Sequence, residues 1–202
     1  MKIYSILALV PITTSAMQLP LKSVAQLHTE LMINLYASKK VAIHDVIDFL
    51  IKHSSSNPNP SSISRALINT QTDSGLSFLH AAILLKDDFF INWLLQYHVN
   101  IDIQNKDGDT PLHLATKEKN LPFVTKLIEN NANVLIQNNH GETPKMIINR
   151  LRTNAYALHT IHHLPKQLGK HMQVYQLIED ALQQAETQSH QEYDNNTTCI
   201  IM

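Results

Sequence analysis

The stretch Lys106-Asp-Gly-Asp-Thr-Pro-Leu-His-Leu-Ala115 is repeated, with changes, once upstream and once downstream in the chain. The upstream copy reads Asp73-Ser-Gly-Leu-Ser-Phe-Leu-His-Ala-Ala82, and the downstream copy reads Asn139-His-Gly-Glu-Thr-Pro144. Neighbouring copies lie 33 residues apart, and their glycines are three of the four in the chain. A fixed period of this length is typical of proteins built from stacked structural repeats.

Each copy predicts a turn followed by a helix. Glycine tolerates a positive φ, so Gly108 can reverse the chain before the helix begins. The Thr110 hydroxyl can cap the helix N-terminus, and Pro111 suits the first helical position because no N–H is needed there. Apolar residues at helical spacing then predict second helices at residues 89–95 and 123–128, followed by extended arms at residues 100–104 and 133–137.

The middle copy resembles the ankyrin repeat, which has this period and the signature Thr-Pro-Leu-His-x-Ala. The signature is complete at Thr110, Pro111, Leu112, His113 and Ala115. The first copy keeps Leu79, His80 and Ala82, and the third keeps Thr143 and Pro144. The resemblance implies an all-α solenoid of helix-turn-helix units with a degenerate N-terminal unit and a C-terminal capping helix. It also implies buried imidazoles that bridge backbone groups of neighbouring units, at His80 and His113.

The chain divides into five predicted segments. They are an apolar N-terminal segment at 1–20, which is either a signal peptide or a docked helix; a degenerate helical, ankyrin-like unit at 21–72 with a flexible insertion at 54–62; ankyrin repeats at 73–151; a helical C-terminal cap at 152–185; and a disordered tail at 186–202. The insertion and the tail are predicted from their polar composition, which offers little apolar surface to bury.

The last four residues, Cys199-Ile200-Ile201-Met202, match a CaaX prenylation box, and the final Met favours farnesyl. Cys199 is the single cysteine of the chain, which excludes an intramolecular disulfide. The box predicts lipidation of Cys199 by a prenyltransferase and attachment to a cytoplasmic membrane face through the lipid anchor. Since no Lys or Arg follows Lys170, a single prenyl group predicts weak anchoring without a second attachment.

Composition narrows the function classes further. The 202 residues are 44% hydrophobic and 16% charged with a net charge of −1, so a globular protein with no nucleic-acid partner is expected. No Gly-rich phosphate loop is present, and a cysteine near the chain end is not a positioned nucleophile, so neither an enzyme nor a cofactor is predicted. His159, His162 and His163 have a spacing that zinc could use, but a solvated polar stripe is preferred and no metal site is predicted.

The ankyrin resemblance implies that a protein partner binds the turn tips and the exposed faces of the first helix of each repeat. We also expect the protein to be a monomer. The candidate partner-binding residues are Leu85, Lys86, Gln104, Asn105, Lys106, Asp107, Asp109, Lys117, Glu118, Gln137, Asn138, Asn139 and His140.

Repeats joined to a prenylation box are similar to ankyrin effectors that intracellular bacteria deliver into host cells. The function expected from this similarity is a non-enzymatic adaptor at a membrane of the host cell. One alternative is a secreted or periplasmic ankyrin protein, cleaved after Ala16, whose CaaX box is accidental. A further alternative is an F-box-like ubiquitin-ligase adaptor, suggested by Leu19-Pro20 with Val24, Leu27 and Leu31.

Overall fold

The computed structural model describes residues 33–34, 36–37, 45–47, 65–97, 99–162 and 168–200. Every regular element in these residues is helical, which confirms the predicted all-α class. The helices are α1 (Arg65–Ile68), α2 (Phe78–Leu85), α3 (Asp88–Gln96), α4 (Pro111–Lys117), α5 (Leu121–Glu129), α6 (Pro144–His162) and α7 (Leu168–Ile200). Within this part of the chain, none of the helices combines the length and hydrophobicity that crossing a bilayer requires.

Three turn segments precede the first helices of the repeats, and we call them finger 1 (residues 69–77), finger 2 (residues 102–110) and finger 3 (residues 135–143). Each holds its glycine in the left-handed region, with φ values of 77°, 75° and 71° at Gly75, Gly108 and Gly141. These angles confirm the predicted turns.

The helix after each of the first two fingers begins with a reciprocal cap. The Thr110 hydroxyl accepts from the His113 backbone N–H, the His113 side chain bonds the Thr110 backbone, and Pro111 occupies the first turn. Ser77 and His80 repeat this capping box at the start of α2. Serine serves in place of threonine because the cap needs only a hydroxyl.

The second helices, α3 and α5, begin where a polar side chain caps them, at Asp87 and Asn120. Their predicted cores at 89–95 and 123–128 are therefore confirmed. The arms that follow are less extended than predicted, since residues 101–102 and 134–135 form turns. The cause is local: the Asn100 and Asn133 side chains accept from the backbone N–H two residues later.

The helices pack in pairs and rows. The helix α2 contacts α3 and α4, and α4 contacts α5 and α6. The fully buried side chains between them include Phe78, Leu79, Ile83, Phe90, Ile91, Leu94, Leu112 and Leu127. Burial of each such side chain contributes roughly 1.5–3 kcal/mol, so the stack is held mainly by this apolar core.

The helix α7 covers the C-terminal end of the helix rows, against α5 and α6. Its buried face consists of Tyr175, Ile178, Leu182 and Ala185, spaced by three or four residues as on one side of a helix. Lys145 donates to Glu186 at 2.6 Å, and Arg152 pairs with Glu179. A helical cap is therefore present where the sequence predicts one.

The C-terminal segment boundaries differ from the prediction in two ways. The helix α6 continues without a break across residues 151 and 152, so no boundary lies there. Residues 186–200, predicted to be disordered, continue α7 as a helix; residues 201–202 lie outside the described residues. The chain after Gly169 contains no Gly or Pro, so neither of the strongest helix breakers interrupts a helix that packing has already started.

The described part of the N-terminal unit packs against the first repeat. Ile33, Tyr36 and Val46 are helical and buried. The Tyr36 hydroxyl donates to Asp87 at 2.8 Å, and its ring meets Phe90 edge-on at 5.0 Å. Burial, reinforced by Asp87, raises the pKa of Tyr36. The predicted segments at 1–20 and 54–62 lie outside the described residues.

Candidate protein-binding surface

Two buried histidines join neighbouring repeats. The ring Nδ1 of His80 accepts from the Ser77 hydroxyl at 2.9 Å, which leaves its Nε2–H to donate to the Asp109 carbonyl at 3.1 Å. His113 makes the same bonds one repeat later, from Nε2 to the Glu142 carbonyl at 3.0 Å. The bridging role implied for both residues is confirmed.

The two imidazoles are neutral at physiological pH. Burial lowers the pKa of His80 to about 4, although its bond to Asp109 acts in the opposite direction. Burial also lowers the pKa of His113. A proton on either ring would be poorly solvated, so both residues serve stacking rather than proton transfer.

Glutamines form a second link along the fingers. The Gln71 amide donates to its own finger at the Gly75 carbonyl (2.6 Å) and to the next finger at the Gln104 carbonyl (2.7 Å). Gln104 repeats the pattern, to Gly108 at 2.7 Å and to Gln137 at 3.1 Å. The amide of Gln104 is therefore occupied by the stack, although Gln104 is among the predicted partner-binding residues.

Two predicted partner-binding residues, Asp109 and Asn138, are buried between fingers 2 and 3 and are not available at the surface. Asp109 is only 2% exposed, because the Asn138 amide of the next finger closes over it and donates to its carboxylate at 2.9 Å. Asn138 is buried in the same contact. The second carboxylate oxygen of Asp109 forms an ion pair with Lys117, so the ammonium group of Lys117, another predicted partner-binding residue, is already bonded within the protein.

Asn105 also has a structural task, because its side chain accepts from the backbone N–H groups of Asp107 and Asp109 and shapes finger 2. Leu85 is half-buried and packs on the core. Lys86 and Glu118 are exposed and form a 3.6 Å ion pair across two repeats. The predicted residues that the structure leaves exposed at the fingers are Gln104, whose amide is bonded within the stack, and Lys106, Asp107, Gln137, Asn139 and His140.

Sequence reasoning missed residues that share one position in each repeat. Leu84 lies 33 residues before the predicted residue Lys117, and Arg150 lies 33 residues after it. Applying the repeat period to Lys117 would therefore have identified Leu84 and Arg150. Leu84 is 43% exposed. Arg150 binds Glu142 through two bonds of 2.6 and 3.1 Å, and this pairing lowers the pKa of Glu142.

The side chains at this position change character along the stack. The first repeat presents the apolar Leu84, whereas the second and third present the ion pairs Lys117–Asp109 and Arg150–Glu142. A shallow cleft of about 350 Å³ beside the last pair is lined by His140, Glu142 and Arg150. The exposed surface thus offers an apolar contact at one end and charged, hydrogen-bonding groups at the other.

The predicted lipidation residues are only partly described. Cys199 and Ile200 belong to the backbone of α7, and Ile201 and Met202 lie outside the described residues. Among the described side chains, no group of three or more His, Cys, Asp or Glu could hold a metal ion. The side chains of the histidine cluster at residues 159–163 lie outside the described side chains.

No curated protein matches the chain in sequence. A family model described as "Ankyrin repeats (3 copies)" matches residues 79–149. That span begins in the capping box of α2 and ends within α6, so it includes both histidine bridges and the contacts between fingers 2 and 3. The predicted solenoid is thereby confirmed: residues 79–149 carry ankyrin repeats, the structural unit of a protein–protein interaction module.

Proposed function

We propose that this protein is a non-enzymatic adaptor that binds a protein partner with the exposed fingers and the first helices of its repeats. One observation carries the proposal. The groups that hold the stack together, such as His80, His113 and Asp109, are buried, whereas Lys106 and His140 at the finger tips are exposed. Side chains with no part in the stack are available for recognition.

The partner surface should be mixed in chemistry. Leu84 offers an apolar contact on the first repeat, and the exposed tips add a cation and an anion at Lys106 and Asp107. Binding sites of this kind gain affinity from a few buried apolar side chains and specificity from charges at the rim. We therefore expect a partner segment with an apolar anchor near Leu84 and polar groups toward finger 3.

The test exchanges charges at the tip without changing the net charge. The double variant Lys106→Glu with Asp107→Lys leaves the backbone carbonyls that receive the Asn139 bonds in place. The matched control, Gln96→Glu with Glu129→Gln, alters exposed residues at the ends of α3 and α5. Quantitative affinity purification should show specific proteins lost with the tip variant and kept with the control. If a tip variant of unchanged Tm retains every specific protein, partner recognition does not use finger 2.

The second part of the proposal is farnesylation of Cys199, supported by the sequence Cys199-Ile200-Ile201-Met202. Ala185 is the last buried residue among the described side chains of α7, which run to Gln191, and Cys199 follows Ala185 by about 21 Å along the helix axis at 1.5 Å per residue. Because prenylation occurs in a eukaryotic cytosol, this proposal places the protein at a cytoplasmic membrane face, in a host cell if it is a bacterial effector.

Intact mass spectrometry of the protein from eukaryotic cells tests the lipid and also establishes whether Met202 is the last residue. We expect the mass of one farnesyl group on the chain and none on Cys199→Ser. The matched variant Met202→Leu should exchange farnesyl for geranylgeranyl, since leucine in the last position favours the longer lipid. An unmodified Cys199 in cells with active transferases would contradict the proposal and leave the protein-binding proposal intact.

A further inference from the structure

Each repeat contacts the next one through the same four positions. Between fingers 2 and 3, Asp102 accepts from the Asn133 N–H at 2.9 Å, and the Gln104 amide donates to the next finger at 3.1 Å. His113 donates to the Glu142 carbonyl, and a Cβ on Gly108 would lie 2.5 Å from Asn139. These positions therefore point from one repeat toward its C-terminal neighbour.

In the third repeat, the equivalent positions are open. Leu135, which follows Asp102 by one period, is 42% exposed, and Met146, which follows His113, is 52% exposed. A Cβ on Gly141 would meet nothing within 4 Å, whereas both earlier glycines meet the next finger. The structure gives the Gln137 amide no acceptor among the described residues. The cap α7 thus covers the helices of the last repeat but leaves this surface, which we call the open end (Leu135, Gln137, Gly141 and Met146), uncovered.

The open end is not suited to another ankyrin repeat. A following repeat would need a side-chain oxygen, as Asn69 and Asp102 provide, and an imidazole, as His113 provides, but Leu135 and Met146 stand at the equivalent positions. The replacement side chains are exposed rather than buried. Two large apolar side chains beside an amide with a free donor form a surface that can bury apolar groups and bond a backbone carbonyl.

We propose that the open end binds an extended segment of a protein partner, in the place where the finger of a further repeat would lie. Aliphatic side chains of the segment contact Leu135 and Met146, and one of its carbonyls accepts from the Gln137 amide. This binding mode continues the interface between fingers 2 and 3 by one repeat. In that interface, the Gln104 amide donates to a backbone carbonyl of the next finger in the same way. The cleft lined by His140, Glu142 and Arg150 adjoins finger 3 and can receive a polar side chain of the segment.

A second copy of the chain fits this surface less well. A stable dimer buries about 800 Å² on each partner, and the open end offers only two large apolar side chains. An extended segment can bind with a smaller contact because its backbone supplies hydrogen bonds. The proposal rests on the adaptor function above and adds a second binding surface to the one near Leu84.

Selection of displayed random peptides of about 12 residues against the full chain tests the open end directly. Enriched peptides should carry aliphatic residues, and their affinity should fall roughly tenfold or more with Leu135→Glu or Met146→Glu. Gln137→Ala should weaken binding several-fold, and Leu84→Glu, the matched control on the first repeat, should leave it unchanged. All variants alter exposed side chains, and an unchanged Tm confirms that each one folds.

Four outcomes would overturn this inference. Peptides that lose affinity only with Leu84→Glu would place binding on the other surface, so the adaptor function would stand without the open end. Peptides insensitive to all four variants would exclude the open end and leave the adaptor function to the separate test at Lys106 and Asp107. Failure to enrich any peptide, or self-association that Met146→Glu abolishes, would also exclude a partner segment as the occupant.

Discussion

Substitution of single glycines by alanine should distinguish two contributions to stability: the backbone strain within one finger and the packing of one finger against the next. Gly108 and Gly141 have nearly the same φ, 75° and 71°, so alanine pays the same left-handed penalty of about 1–2 kcal/mol at either position. Their surroundings differ. A Cβ at Gly108 would lie 2.5 Å from the Asn139 side-chain oxygen and 2.6 Å from its backbone nitrogen, whereas a Cβ at Gly141 meets nothing within 4 Å.

Relief of that overlap requires finger 3 to move away from finger 2. The movement would break the bonds from Asn139 to the Asp107 carbonyl (2.9 Å) and to the Lys106 carbonyl (2.7 Å), at about 1 kcal/mol each. We therefore expect Gly108→Ala to lower the free energy of unfolding by about 3–4 kcal/mol and Gly141→Ala by about 1–2 kcal/mol. Gly75→Ala should lie between them, since it disturbs one 3.3 Å bond between Lys106 and Ser74.

Urea denaturation of the full chain, followed by circular dichroism, measures the three values, and equal m-values would show that the same cooperative unit unfolds. Equal losses at Gly108 and Gly141 would mean that the fingers do not stack as described. That result would remove the basis for the open end as well, because Gly141 is part of it.

Three further predictions concern stability. Burial lowers the pKa of His80 in the folded state to about 4, so below pH 6.5 the unfolded chain binds more protons than the folded one. The free energy of unfolding should therefore fall by about 3 kcal/mol between pH 6.5 and pH 4. In urea melts across this pH range, the variant His80→Gln should lose most of this pH dependence. Lys86 has a φ of 59°, so Lys86→Gly should stabilise the protein by about 0.5–1 kcal/mol in urea melts, despite the loss of an exposed 3.6 Å ion pair; a destabilised variant would show that the pair matters more. Removal of residues 187–202 should change stability by less than about 0.5 kcal/mol, since Ala185 is the last buried residue among the described side chains of α7, whereas removal from residue 168 onward should expose the α5 and α6 surface and cause aggregation.

Local sequence signals predicted the repeats well. The cap at Thr110, the proline at 111 and the glycine turns depend on neighbours within four residues, and the structure contains all of them. The histidine bridges followed from the family resemblance rather than from local physics. Leu84 and Arg150 could have been found by applying the 33-residue period to Lys117.

Burial at the fingers could not be predicted in this way. Asp109 is buried by Asn138, a residue of the next finger, and the sequence around Asp109 does not predict that contact. The extent of α7 was missed for a different reason: the regular apolar spacing ends at Ala185, but the helix continues because no Gly or Pro follows to stop it. The binding residues were chosen by their position in the repeat, which does not show burial, and the disorder of the tail was judged from its polar composition alone.

Photo-crosslinking in cells tests the adaptor function most directly. A benzoylphenylalanine in place of His140 or Lys106 reports what touches the finger tips, and the same group in place of Gln96 or Glu129 reports the exposed ends of α3 and α5. We expect discrete crosslinked proteins from the tip positions that are absent from the control positions. If all four positions give the same products, or the tips give none, the exposed fingers are not the surface through which this protein binds a partner.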